Sequence, residues 1–263
     1  MWVEAAVLFV VGLLFGSFAN VVIYRLPQKK SVVTPRSACP KCGNRIAWYD
    51  NIPVFSWLLI LRGKCRKCRN PISVRYPIVE LLTGLVFAAI AYKYGYQWVT
   101  LEYIIFAWSL IVVSMIDLDL MILPDVFTLS GIVIGLVGAA INPERSFYSA
   151  LGGVLLGGGF LYAIAYLYLV LRKEEGMGGG DIKLLAWIGA VLGWTSIPFV
   201  ILVSSILGSL VGLGLALRSQ AGLKSVIPFG PYLAFAAVLF ILGGEAIGLW
   251  YIGLFLPDAT PVH

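Results

Sequence analysis

Charge is what this chain of 263 residues has least of: acidic and basic side chains make up 12% of it, against 60% hydrophobic residues and a mean hydropathy of +0.93. No water-soluble domain of that length hides so much apolar surface in one core, so the composition excludes a soluble globular protein and leaves a polytopic membrane one. Histidine is nearly missing too. The one copy, His263, stands at the last position, where a solvated tail adds nothing to a site. Val3 to Tyr24 carry only Glu4 as a charge and show no basic leader or small-residue cleavage site of the signal-peptide kind. The first apolar run is therefore expected to remain in the mature protein.

A hydrocarbon core of roughly 30 Å needs about 20 apolar residues in a helix. Runs of that kind fall at about 2–24, 77–92, 100–120, 126–141, 147–171, 182–195, 197–217 and 229–256, the sixth being short. The expected fold is all-α, with about eight transmembrane helices and a small cytoplasmic domain inserted after the first. Residues 1–24 form the first helix, 25–76 a basic cytoplasmic segment, and 77–263 a seven-helix bundle. Placing the N-terminus outside makes 25–76, 117–125, 172–183 and 218–228 cytoplasmic. Twelve of the nineteen basic residues lie between Arg25 and Arg75, and Arg172, Lys173, Lys183, Arg218 and Lys224 raise the cytoplasmic total to seventeen. Only Lys93 and Arg145 fall outside, which is the bias that the positive-inside rule predicts for this orientation. Glu245 and Asp258 fall in the outer half.

Within 25–76 the one acid is Asp50, so the segment is expected to lie on anionic lipid. Nucleic acid is not the expected partner, because aromatic stacking positions are few and the segment is tethered at the membrane. The stretch Ile52 to Leu61, with Trp57, is apolar but too short to span and is expected to rest in the lipid interface.

The chain's four cysteines form two short knuckles, Cys39-Pro-Lys-Cys42 and Cys65-Arg-Lys-Cys68, with 22 residues (43–64) between them. The knuckles repeat one another, since Cys-x-Lys-Cys-x-Asn-x-Ile describes both Cys39 to Ile46 and Cys65 to Ile72. Two such turns facing one ion make a tetrahedral zinc site. Four thiolates leave no open position, so the ion holds the fold and performs no chemistry. A reducing cytoplasm disfavours disulfides, and a redox Cys-x-x-Cys needs no duplicate.

Acids are scarce, which makes Asp117, Asp119, Asp125 and Asp181 conspicuous at the cytoplasmic ends of spans. Carboxylates in membrane helices are costly and usually face a cavity or mark function. Asp125 follows Leu123-Pro124 and reads as the cap of a new helix. Asp181 closes Gly176-Met177-Gly178-Gly179-Gly180, where it can cap a helix; the glycines also permit positive φ and close approach of an extended peptide. Asp117 and Asp119 lie two apart and cannot share a helix face, so at most one joins Asp181, and spacing does not choose between them. Two carboxylates in contact share one proton, giving a base that activates water and an acid that protonates a scissile carbonyl. The triple glycine 157–159 lies within the fifth span, where Gly153-x-x-x-Gly157 lets helices approach closely.

These residues in combination resemble the type IV prepilin peptidases, bifunctional leader peptidases and N-methyltransferases of bacterial inner membranes. The resemblance covers nearly the whole chain. It rests on Gly16-Ser17-Phe18-Ala19-Asn20-Val21 with Arg25-Leu26-Pro27, and on the paired knuckles around Asp50-Asn51-Ile52-Pro53 and Ser56-Trp57-Leu58. Arg75-Tyr76-Pro77, Glu80, Asp117-Leu118 leading to Leu123-Pro124-Asp125, and Gly178-Gly179-Gly180-Asp181-Ile182-Lys183-Leu184-Leu185 complete it. The last matches the family's GxGD signature. The resemblance implies a catalytic pair of Asp117 and Asp181, with Gly178 and Gly180 in an active-site loop and Cys39, Cys42, Cys65 and Cys68 on zinc. The second knuckle has Arg69 where the first has Gly43, a change expected to leave the ligands intact.

The implied substrate is a type IV prepilin or type II secretion pseudopilin, cut after a glycine at the cytoplasmic edge of its hydrophobic helix. The implied second activity methylates the new N-terminal amine from S-adenosylmethionine, although no G-x-G-x-x-G after a strand marks a donor site in the soluble segment. Glu80 is expected either to orient an incoming amine or leader lysine or to pair with a nearby arginine. Two other readings compete. A proton- or cation-coupled transporter explains the intramembrane acids, but it leaves the knuckles unexplained and lacks matched internal repeats. An assembly scaffold would use the zinc domain for docking and the acids only as caps.

Overall fold

The computed structural model describes residues 2–173, 178–218 and 227–244, so Met177, Lys224, Glu245, Asp258 and His263 lie outside the described residues. Among the described residues eight α-helices follow one another: α1 Trp2–Arg25, α2 Arg75–Tyr94, α3 Trp98–Leu120, α4 Asp125–Ile141, α5 Phe147–Arg172, α6 Gly179–Leu192, α7 Ser196–Arg218 and α8 Gly230–Leu239. Five of them, α1, α2, α3, α5 and α7, are long and apolar enough to cross a membrane. No strand beyond two isolated bridges occurs among the described residues, so the fold is all-α.

Helix ends follow local chemistry. Pro77 sits in the first turn of α2, Pro124 precedes α4 as its N-cap, and Pro231 is the second residue of α8, all positions where the missing N–H costs nothing. The sixth helix covers 179–192, three residues earlier than the apolar run suggests. Gly193 takes φ of +80° and its N–H bonds Gly189 O, which stops the helix there.

The chain forms two compact units divided between Ile116 and Asp117. In the first, α1 and α2 pack at backbone distance: a Cβ on Gly16 would stand 2.6 Å from Glu80 Cα, and one on Gly12 would stand 2.8 Å from Gly84 Cα. Asn20 donates to the carbonyls of Gly16 and Tyr76, at 3.2 and 3.1 Å, tying the two helices at one level. Trp108 of α3 donates to Phe15 O at 3.0 Å and stacks on Phe18. Arg75 reaches Met115 O at 2.8 Å.

In the second unit α6 is the core element, with every residue from Leu184 to Val191 buried. Gly153 and Gly189 bring α5 and α6 into backbone contact, and Gly157 faces Leu185 O, so the expected small-residue face packs on α6. Gly131 of α4 accommodates the indole of Trp187 in the same way. Arg145 donates to Ala190 O and Val191 O, both at 2.7 Å, and so closes the C-terminal end of α6. One of the two cations outside the charge bias thus caps a helix. The other, Lys93, lies 4.8 Å from the Tyr94 ring centre.

Candidate active site and metal centre

Each cysteine knuckle is built by the same pattern of backbone bonds. In the first, an isolated bridge joins Ala38 to Arg45, Cys39 N–H donates to Asn44 O, and Gly43 N–H donates to Cys39 O. In the second, Lys64 bridges Pro71, Cys65 N–H donates to Asn70 O, and Arg69 N–H donates to Cys65 O. The turn needs a left-handed residue at its fifth position. Gly43 supplies it at φ +67° and Arg69 at φ +58°, so the sequence difference leaves the turn unchanged.

The four Sγ atoms lie within 4.8 Å of one another, and Cys39 Sγ is 3.8 Å from Cys68 Sγ. Four sulfurs at the usual zinc distance of about 2.3 Å stand about 3.8 Å apart in a tetrahedron, so the cluster fits that ion. The N–H groups of Cys42 and Lys41 hold the Cys39 thiol down to about 6, and those of Cys68 and Lys67 lower Cys65 in the same way. Amides aimed at sulfur favour the thiolate that a metal requires.

Between the knuckles, a π turn at Ser56–Ile60 leaves Phe55, Leu58, Leu59 and Ile60 exposed, while Trp57 donates to Ile72 O at 3.2 Å and covers Gly63. Asp50 is held by Arg66 through two bonds, Nε at 2.9 Å and Nη2 at 2.5 Å. A cavity of about 500 Å³ lies between this segment and α1 and α2, lined among others by Asn20, Tyr24, Asp50, Trp57, Tyr76 and Glu80. Glu80 is buried. It accepts from Val54 N–H at 2.7 Å and from the Ser17 hydroxyl, so of its two expected roles the arginine pairing gives way to a backbone amide that Val54 presents from a left-handed φ of +58°.

The second unit gathers the aspartates. Asp117 ends the buried stretch of α3 at 5% exposure, whereas Asp119 is exposed two residues later. Burial thus distinguishes two aspartates that spacing does not. Asp117 Oδ2 accepts the N–H of Gly230 at 3.1 Å, at the start of α8. Asp181 is half-buried in the first turn of α6, and its carboxylate accepts no hydrogen bond among the described residues.

Leu123 joins the two sides: its side chain would lie 3.1 Å from a Cβ on Gly180 and 3.2 Å from one on Gly230. The two carboxylates are within electrostatic reach of each other.

Three details differ from expectation. Asp181 does not cap α6, because Gly178 occupies the N-cap and Asp181 lies in the first turn, where a carboxylate still suits the helix dipole. Gly180 stands in that helix and not in a loop. Its lack of a side chain serves the approach of Leu123, and neither Gly178 nor Gly180 uses a positive φ. Asp125 is the first residue of α4 behind an N-cap of Pro124, and its carboxylate takes Lys183 Nζ at 2.6 Å. Gly230 escaped the sequence reading. Its only signal is the breaker Pro228-Phe229-Gly230-Pro231.

The fold and site define a multi-pass helical membrane protein that carries a cluster of four cysteines able to hold a metal ion and two aspartates within electrostatic reach of each other. Residues 10–94 match the family described as Bacterial Peptidase A24 N-terminal domain, and residues 104–213 match the Type IV leader peptidase family. A prepilin leader peptidase/N-methyltransferase from Aeromonas hydrophila is 39% identical over 97% of this chain and 96% of its own. Proteins of the same name from Pseudomonas aeruginosa and Myxococcus xanthus are 37% and 43% identical, over 92% and 80% of this chain and 91% and 62% of theirs. No solved structure matches. The chain belongs to the type IV leader peptidase family.

Proposed function

We infer that this protein removes the leader peptide of type IV prepilins or type II secretion pseudopilins and methylates the new N-terminus, with Asp117 and Asp181 as the proteolytic pair. The observation that carries the reading is their convergence: two acids 64 positions apart (181 less 117), the first opening its motif and the second closing its own, meet across Leu123 in one unit. One carboxylate takes a proton from water as its oxygen attacks the scissile carbonyl, while the other gives a proton to the carbonyl oxygen. Purified protein carrying Asp117→Asn or Asp181→Asn is expected to leave a prepilin uncut by mass spectrometry while remaining folded. Full cleavage by either variant would remove that residue from the pair.

The proposed setting is the bacterial inner membrane, with eight spans, the N-terminus outside, and residues 25–76 and the aspartates at the cytoplasmic side. The charge bias supports it. A helix of 14 residues, α6, reaches only about 21 Å, but protein buries it from Leu184 to Val191, so that stretch need not match the lipid. Residues 77–263 form the catalytic bundle in this reading, and the exposed apolar π turn rests in the lipid interface. Cys39, Cys42, Cys65 and Cys68 hold a structural zinc ion that closes the knuckles on each other.

S-adenosylmethionine supplies the methyl group when bound. The cavity of about 500 Å³ is of a size for it. Glu80, buried on its wall with one oxygen already fixed by Val54 N–H, favours a cationic sulfonium there.

A further inference from the structure

Asp117 and Asp181 are alike in chemistry and unlike in surroundings. Gly230 begins α8, where the first backbone N–H groups have no partner inside the helix. Pro231 has no N–H, and those of Tyr232 and Leu233 are taken by Phe229 O, at 3.1 and 3.3 Å. Gly230 N–H is the donor left over, and it points at Asp117. A side chain at this position would displace the carboxylate, since a Cβ would stand 2.6 Å from Asp117 Oδ2 and 3.2 Å from Leu123 Cδ2. No comparable donor reaches Asp181 among the described residues.

We propose that Gly230 is a positioning residue for peptide cleavage: its N–H fixes Asp117 as the charged, water-activating carboxylate and leaves the shared proton on Asp181. The proposal rests on the reading of Asp117 and Asp181 as the catalytic pair. In the first step water's oxygen bonds to the scissile carbonyl carbon, its proton passes to Asp117, and the proton of Asp181 passes to the carbonyl oxygen. The product is a neutral gem-diol, with Asp117 protonated and Asp181 charged. In the second step the C–N bond breaks, Asp117 gives its proton to the departing nitrogen, and one gem-diol hydroxyl returns a proton to Asp181. Both carboxyls end as they began.

The test is steady-state cleavage of a full-length prepilin by the detergent-solubilised full chain. Gly230→Ala forces the Asp117 carboxylate to move, and a misplacement of about 1 Å costs about a hundredfold in kcat, with KM held within about twofold. The double variant Gly230→Ala/Leu123→Ala makes room at the leucine but not at the carboxylate, and it retains the kcat loss even where the single variant folds poorly. Gly159→Ala in α5, whose Cβ meets nothing within 4 Å, serves as the control at the wild-type rate. A kcat within about twofold of wild type in Gly230→Ala, or full rescue by Leu123→Ala, overturns the positioning role and reduces it to packing. If Asp117→Asn and Asp181→Asn are inactive in that outcome, the pair stands and only Gly230 falls. If either aspartate variant cleaves at the wild-type rate, the pair itself fails.

Discussion

Chelating zinc, or replacing Cys39 and Cys42 by serine, should melt the two knuckles while the helices stay formed. Between residues 26 and 74 the only buried positions are Cys39, Pro53, Ser56 and Cys65, so almost no apolar core holds that stretch. Ordering each residue's backbone costs about 1–2 kcal/mol, while each of the few backbone bonds in a knuckle returns only about 1 kcal/mol. A structural zinc ion contributes about 10–16 kcal/mol in peptides of this kind and supplies the surplus. Loss of even a third of that lowers the protection of a backbone amide by more than about a hundredfold. The assay is hydrogen exchange by mass spectrometry on the native and chelated protein, alongside metal analysis, which should give one zinc per chain. Segments 38–46 and 64–72 should lose protection, whereas 104–116 and 184–191, which lie in mostly buried helix, should keep it. Chelated protein that keeps both knuckles protected would refute the reasoning, as would native protein with protected knuckles and no metal.

Gly189→Ala would push a Cβ into the Gly153 backbone, and overpacking against a rigid partner costs about 1–3 kcal/mol, read as a lower unfolding temperature in detergent. Arg145→Ala leaves the carbonyls of Ala190 and Val191 without their donor at the end of α6, a loss of about 1.5–3 kcal/mol by the same measurement, and a lysine there should restore only part of it. Glu80→Gln should weaken S-adenosylmethionine binding to the solubilised protein by about tenfold or more, measured by calorimetry; unchanged affinity would place the donor elsewhere.

What the sequence exposed and what it hid divide along a physical line. Apolar runs, breakers and paired cysteines act through composition and local spacing, so the helices and the metal cluster were legible. α6 was displaced by three residues because a backbone φ at Gly193, and not hydropathy, ends it. Glu80 was read as meeting a cation, either an incoming amine or leader lysine or a nearby arginine. Its actual partners, an amide at Val54 and a hydroxyl at Ser17, carry no charge to advertise them. The close approach of α1 to α2 had a signal, Gly12-x-x-x-Gly16, that went unused.

The same line explains why the two aspartates drew notice in the sequence and the difference in their surroundings did not. Scarcity of acid in an apolar chain draws attention to Asp117 and Asp181, and one measure, burial, then separates Asp117 from Asp119. Which member of the pair holds a proton depends on donors, and here the donor is a main-chain N–H from a residue 113 positions away (230 less 117). Every residue except proline has such a group, so no residue type marks it. What marks the position instead is a steric demand: a glycine between two prolines that break a helical run, where a Cβ would strike the carboxylate. In a dry helical bundle, where each unpaired charge is costly, the absence of a side chain at one place is thus a means of fixing the charge of another.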